Sequence, residues 1–262
     1  MLRILDHGYV KLIEHWGSDE RIIEAARMSV DKGFQGWEPT RICKYCRRTA
    51  EDLGPVGMWQ HCPNNENGLS LHEMEETKGD AGLLRFLWKH RHTTPFEMAG
   101  AQIEVKAPIF VFREWHRHRT QSYNEMSARY TPLPNENYIP TKIRCSMGGG
   151  SNKQAAGVAP FDELKMRAWR DRMPEIDRIL EEYYQEGLAA GVPKEVARIR
   201  LPVGRYSRMR AQAVLKNWLD FLNLRQDADA QWEIRQFADA VAAILAELFP
   251  RTLTLFQEGR TK

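Results

Sequence analysis

Ala101-Gln102-Ile103-Glu104-Val105-Lys106-Ala107-Pro108-Ile109-Phe110-Val111-Phe112-Arg113-Glu114-Trp115 contains the change of period on which the fold reading turns. Ile103, Val105 and Ala107 alternate, as a strand with one buried face requires. Pro108 then suits the first position of a helix, where its fixed φ and missing N–H cost nothing. The sequence therefore predicts a strand that feeds a helix carrying Phe112, Trp115 and the basic cluster after them.

Upstream, Tyr9, Val10 and Leu12 read as a strand, and Ile22, Ala25 and Ala26 as a short helix. Residues 33–80 lose periodicity and fill with Gly, Pro, Asn, Cys and charges, which reads as a loop-rich insertion over about 35–80. A helix resumes at Ala81–Lys89, with Leu83, Leu84, Leu87 and Trp88 on one face. A second irregular insertion, about 144–160, contains Gly148-Gly149-Gly150 and is expected to be mobile. Beyond it the chain reads as strongly helical. Trp169, Met173, Ile176, Leu180 and Tyr183 recur at helical spacing, interrupted by Pro174. Leu215, Leu219 and Leu222, then Phe237, Val241, Ile244, Leu245 and Leu248, do the same. Strands first and long helices after them predict one α+β domain over 1–262, with a central antiparallel or mixed sheet.

Composition narrows the function classes. The chain is 42% hydrophobic and 28% charged, and no apolar run reaches the ~20 residues of a membrane helix. Charges are scattered through residues 1–17, unlike a signal peptide, so a cytoplasmic location is expected. A formal charge of +3 is too small for a nucleic-acid binder, whereas Arg clusters at 113–129 and 198–210 suit a small anionic ligand. The four Cys read as reduced thiols or metal ligands rather than a disulfide framework.

Arg117-His118-Arg119-Thr120-Gln121-Ser122-Tyr123-Asn124-Glu125-Met126-Ser127-Ala128-Arg129-Tyr130 carries the chemistry. Guanidinium groups bind phosphate through paired hydrogen bonds, and hydroxyl and backbone N–H groups complete such a cradle. A solvated basic helix end is the plainer reading, but Tyr123, Met126 and Tyr130 are interleaved with the charges.

This segment resembles the signature of the flavin-dependent thymidylate synthases, in which Arg-His-Arg is followed at this distance by Ser, here Ser127. His90-x-His92-x-Thr94-Pro95-Phe96-Glu97 is similar to the family's upstream element. Lys106-Ala107-Pro108-Ile109-Phe110-Val111, Ala197-Arg198-x-x-Leu201-Pro202, Phe221-Leu222-x-Leu224-Arg225 and Ala230-Gln231-Trp232-Glu233-Ile234 also match. The resemblance covers about 1–34, 81–143 and 162–258 and skips both insertions.

By matched position, the resemblance implies that Ser29, His92, Thr94, Glu97, Arg117, His118, Arg119 and Lys216 bind FAD. It implies that Glu114, Glu125, Ser127, Ala128, Arg129, Arg198 and Arg225 bind the nucleotide, with Arg129 and Arg198 toward the phosphate. Arg225 and Ser127 are assigned to the reaction centre, Arg225 polarising uracil and Ser127 binding rather than attacking. The implied reaction moves a one-carbon unit from methylenetetrahydrofolate to C5 of dUMP, giving dTMP with NADPH as reductant. The implied assembly is a homotetramer with sites between subunits.

The chain departs from the family at Val214-Leu215-Lys216, where Asn-x-Arg is usual, and at Asp229, where His is usual. Compensation nearby, for example from Arg210 or Gln212, and altered flavin or folate binding are both open readings. Alternatives of a 5-hydroxymethyl product, another pyrimidine nucleotide, or a non-catalytic nucleotide or nucleic-acid binder stay open with them. In the first insertion, Cys43, Cys46, His61 and Cys62, with His72 beyond, are candidate zinc ligands or else free thiols in a loop. Adjacent His61 and Cys62 make an awkward half-site, and Cys145 reads as inert.

Overall fold

The computed structural model describes residues 1–49, 51–53, 62, 72–148, 157 and 160–260. Among them the strands are β1 (Leu2–Ile4), β2 (Gly8–Trp16), β3 (Arg41–Cys43), β4 (Met74–Glu76), β5 (Gly100–Pro108), β6 (Ser122–Glu125) and β7 (Tyr206–Val214). The α-helices are α1 (Asp19–Arg27), α2 (Ala81–Lys89), α3 (Ile109–Trp115), α4 (Lys142–Ser146), α5 (Glu163–Asp171), α6 (Met173–Ala189), α7 (Lys194–Ala197), α8 (Leu215–Arg225), α9 (Trp232–Leu248) and α10 (Pro250–Arg260). The fold class is α+β. The chain divides into two compact units, one of residues 1–16 and 100–253, the other of 17–99 and 254–262. No helix of the described residues is long and apolar enough to cross a membrane.

The first unit is built on a five-stranded sheet in the order β1-β2-β5-β7-β6, every neighbouring pair antiparallel. Its buried positions alternate along β5 (Ala101, Ile103, Val105, Ala107) and β7 (Ser207, Met209, Ala211, Ala213). Trp218, Phe221 and Leu222 of α8 and Phe237, Val241 and Leu245 of α9 are buried in the same unit. The Trp218 indole N–H donates to the Ala101 carbonyl at 3.0 Å, so the ring is satisfied inside the core. Gln102 and Glu104 of β5 and Arg208, Arg210 and Gln212 of β7 alternate with this buried set, and Arg210 donates to Gln102 at 3.3 Å.

Three sequence expectations are corrected here. The stretch after residue 160 is not helical throughout, because β7 lies in it and is an inner strand of the sheet. The helix after Pro108 ends at Trp115, so Arg117-His118-Arg119 lies in the turn beyond it. Pro174 opens α6 within its first turn rather than interrupting a longer helix. Of the residues at this helical spacing, Trp169 is 58% and Tyr183 59% accessible, while neighbouring Tyr184 is buried.

In the second unit α1 carries Ile22, Ala25 and Ala26, as predicted, and is capped by Ser18, whose side chain accepts from the Arg21 N–H. The insertion is not wholly loop, since β3 and β4 pair in it as a two-stranded antiparallel sheet. Its two ends are tied together by buried Asp80, which accepts from Arg27 and from the Gln35 N–H, while the Asp80 N–H donates to Gly36. Gly79 has φ +66°, and a Cβ there would come within 2.5 Å of the Trp37 carbonyl oxygen, so only glycine fits. Residues 149–156, 158 and 159 of the second insertion, expected to be mobile, lie outside the described residues.

Candidate active site

The turn after α3 is organised by its aromatic residues. Trp115 is fully buried against Phe221, and its indole N–H donates to Gln121 at 3.1 Å. The Tyr123 hydroxyl donates to the carbonyls of His118 (2.7 Å) and Trp115 (3.1 Å), and burial pushes its pKa up to about 12. With the backbone pinned in this way, His118 points inward and is 8% exposed, while Arg117 and Arg119 on either side point outward.

Arg225, the last residue of α8, closes over this turn. Its Nε donates to His118 Nε2 at 2.8 Å, one terminal nitrogen to the Glu114 carboxylate at 2.8 Å, and the other to the Glu114 carbonyl at 2.8 Å. A guanidinium held at three nitrogens cannot swing, so its charge is fixed in space before any ligand arrives. His118 can accept only while neutral, and burial, then the Arg225 cation, lower its pKa to about 4. Because Nε2 accepts, the ring proton is assigned to Nδ1.

Two clefts adjoin this cluster and share Arg113 and His116. One, of about 690 Å³, is lined by Arg113, Glu114, His116, Arg117 and Arg225. The other, of about 540 Å³, has an apolar wall that includes Phe112, Leu133 and Val203, with Glu125, Ala128 and Arg198 among its polar and small members. Glu125 reaches it from β6, and Arg198 from the short turn that follows α7. The structure thus brings Glu114, Arg117 and Arg225 to one cleft and Glu125, Ala128 and Arg198 to its neighbour.

Other expected residues lie differently. Ser127 Oγ accepts from the Arg129 N–H at 3.3 Å, an arrangement that supplies no base to activate it as a nucleophile. Exposed Arg129 pairs with Glu195 at 3.2 Å, and Lys216 pairs with Asp220 one turn along α8 at 2.7 Å. Arg117 and Arg119 make no ion pair among the described residues. In the second unit, Ser29 donates to the Ala26 carbonyl, and His92, Thr94 and Glu97 are exposed around buried Phe96.

Sequence reading missed Arg205. This side chain is fully buried, ion-paired with Glu181, and donates to Asn135 at 3.3 Å and to the Leu133 carbonyl at 2.9 Å. It ties α6 to the segment that supplies Leu133 to the second cleft. The available signal was weak, since one Arg among many on a stretch read as helix gives no hint of burial.

A family model described as thymidylate synthase complementing protein matches residues 11–251. The flavin-dependent thymidylate synthase of Wolbachia pipientis wMel is 32% identical over 256 residues, 98% of this chain and 76% of that protein. That of Thermus thermophilus is 34% identical over 255 residues, 97% and 77% of the two chains. Among solved structures, the UMP/dUMP methylase PolB from Streptomyces cacaoi bound with 5-Br dUMP is 28% identical, with a TM-score of 0.68 over 98% of this chain and 96% of that one. The same protein bound with 5-Br UMP is 26% identical, with a TM-score of 0.69 over 98% and 97%. A match along almost the whole chain, joined to 32–34% identity over three quarters of the curated relatives, settles the relationship: the chain belongs to the family of flavin-dependent thymidylate synthases.

Proposed function

We propose that this enzyme transfers a one-carbon unit from methylenetetrahydrofolate to C5 of dUMP and reduces it to the methyl group of dTMP. The observation that carries the reading is the fixed Arg225 guanidinium at a cleft next to one lined by Glu125, Ala128 and Arg198. Bond formation at C5 throws negative charge onto the uracil ring and its C4 carbonyl. A cation already held in place stabilises that charge without reorganising, which is the most effective form of electrostatic catalysis. Arg198 and Arg129 hold the phosphate, with paired N–H donors matched to its oxygens. Glu125, Ser127 and Ala128 line the rest of the nucleotide, and Glu114 acts by orienting Arg225.

FAD fits the donor set of this chain. Arg117 and Arg119 offer guanidinium groups with no ion pair among the described residues, which suits a pyrophosphate. Lys216, Ser29, His92, Thr94 and Glu97 complete the flavin contacts. When bound, FAD in its reduced form would supply the hydride that completes the methyl group, with NADPH as the source of electrons. C5 thereby gains the carbon and loses its proton, while the transferred carbon gains the hydride as its bond to the folate nitrogen breaks and tetrahydrofolate leaves.

We infer a homotetramer, acting in the cytoplasm, in which these groups come from more than one subunit. Support comes from α5 and α6, where the large apolar side chains Leu164 (79% accessible), Trp169, Ile176, Ile179 and Tyr183 are exposed, the last three at helical spacing along α6.

The solved relative, described as a methylase of both UMP and dUMP, favours a second reading in which the ribonucleotide is also methylated. Mass spectrometry of products from dUMP and from UMP, each with methylenetetrahydrofolate, NADPH and FAD, separates the two. A 5-methyl product from dUMP is expected. A 5-hydroxymethyl product alone, or no product from either nucleotide, would overturn the proposal.

A further inference from the structure

The first insertion holds a cluster that nucleotide methylation does not use. Cys43, Cys46, Cys62 and His72 each offer one ligand atom, and all four atoms lie within 4.8 Å of one another. Cys43 Sγ is 3.6 Å from Cys62 Sγ, and Cys46 Sγ is 3.4 Å from His72 Nδ1. A disulfide would need about 2.05 Å, so the first pair is not one. Tetrahedral zinc with ordinary Zn–S and Zn–N bonds sets ligand atoms about 3.8 Å (S to S) and about 3.6 Å (S to N) apart. Both close pairs sit near those edges, and the widest separation needs to contract by about 1 Å.

The backbone is shaped for the same purpose. Cys43 ends β3 and Cys46 follows in a tight turn, where the Arg47 N–H donates to the Cys43 carbonyl at 2.9 Å and the Cys43 N–H to Arg48 at 2.8 Å. Arg47 takes φ +63°, which turns the chain back toward Thr49, bridged to Ile42. Cys43 is fully buried and Cys62 6% exposed, while Cys46 and His72 are half-buried.

We propose that Cys43, Cys46, Cys62 and His72 bind one structural zinc ion that staples the insertion. His61, expected as a ligand from sequence, lies outside the described residues, and the histidine brought to the cysteines is His72. The need is physical. β3 and β4 are three residues each, too short for a two-stranded sheet to hold itself together in water. The metal joins the turn after β3, the approach to β4 and Cys62, 16 residues beyond Cys46 in the sequence. Four protein ligands fill the tetrahedron, which makes the site structural rather than catalytic.

The test uses the full-length, untagged protein purified without chelator. Elemental analysis is expected to find about one zinc per chain, and X-ray absorption a shell of three sulfurs at about 2.3 Å and one nitrogen at about 2.0 Å. Cys46→Ser and His72→Ala should lose the metal, while Cys145→Ser keeps it. His72→Cys should retain it as a four-sulfur site. If Cys46→Ser fails to fold, the wild-type absorption spectrum and the charge-transfer bands of the cobalt-substituted protein decide the matter. No stoichiometric metal after growth in zinc-supplemented medium would overturn the proposal, as would a Cys43–Cys62 disulfide by mass spectrometry or full zinc in the Cys43→Ser/Cys46→Ser double variant. None of these readings involves nucleotide turnover, so the metal site and the proposed reaction stand or fall separately.

Discussion

Acid should weaken this fold through His118, and replacing that side chain should remove the effect. In the native state burial and then the Arg225 cation hold the ring down to about 4, against opposing pulls from Asp220 and Glu114. An unfolded histidine titrates near ~6.5. Between those values the unfolded chain binds a proton that the folded chain refuses, because a protonated Nε2 would face the Arg225 N–H donor to donor. The stabilisation is therefore complete above about pH 6.5, drains away as pH falls, and is gone near pH 4. At 1.36 kcal/mol per pH unit the full difference is ~3 kcal/mol, of which about 2 kcal/mol is lost by pH 5. Urea unfolding of wild type and His118→Gln at pH 7, 6 and 5, at one protein concentration, measures it. Gln can still accept from Arg225 but does not titrate, and other acid-sensitive groups cancel in the comparison. The stability gap between the two proteins should shift against wild type by ~2 kcal/mol from pH 7 to pH 5. A gap that does not move with pH would refute the assignment of His118 as the neutral acceptor.

Arg205→Ala should cost about 3–5 kcal/mol in chemical denaturation, because it strands the Glu181 carboxylate and leaves Asn135 and the Leu133 carbonyl short of a donor. Native stability in that variant would show that the segment around Leu133 is held by something else. Arg198→Ala should raise the calorimetric Kd for dUMP roughly ten- to hundredfold, as a charged hydrogen bond contributes ~1.5–3 kcal/mol. Unchanged affinity would move the phosphate elsewhere. Glu114→Gln weakens one of the three contacts on Arg225 and should lower kcat roughly tenfold with little change in KM. A rise in KM alone would make Glu114 a substrate contact instead.

What could be read from sequence follows the strength of the local pattern. β5 was legible because Ile103, Val105 and Ala107 alternate cleanly, and α2 because its leucines share one face. β7 was not, since its inward residues are Ser207, Met209, Ala211 and Ala213, small or mildly apolar, set between charged and amide side chains. The fold alone made it an inner strand by pairing it with β5 along its whole length. The basic cluster drew attention through its composition, yet its geometry depends on contacts that sequence spacing hides. Arg225 meets His118 and Glu114 across more than a hundred residues, and nothing near Arg225 announces either partner. The cysteine cluster shows the same limit, with Cys46 brought to His72 across a segment of no visible period. Lys216, one of the departures from the family pattern, is engaged with Asp220, and nothing in the structure explains why it replaces Arg.

The central claim, that Arg225 serves carbon transfer at C5 of a bound nucleotide, is tested most directly by release of tritium from [5-³H]dUMP. With methylenetetrahydrofolate, NADPH and FAD, the wild-type enzyme should release tritium to water in step with dTMP formation. Arg225→Ala should slow release by about 10²–10³-fold while dUMP affinity changes far less, as removal of a preorganised charge stabiliser does. No tritium release from a wild-type protein that binds dUMP and FAD would contradict the account, as would an Arg225→Ala variant that releases it at the wild-type rate.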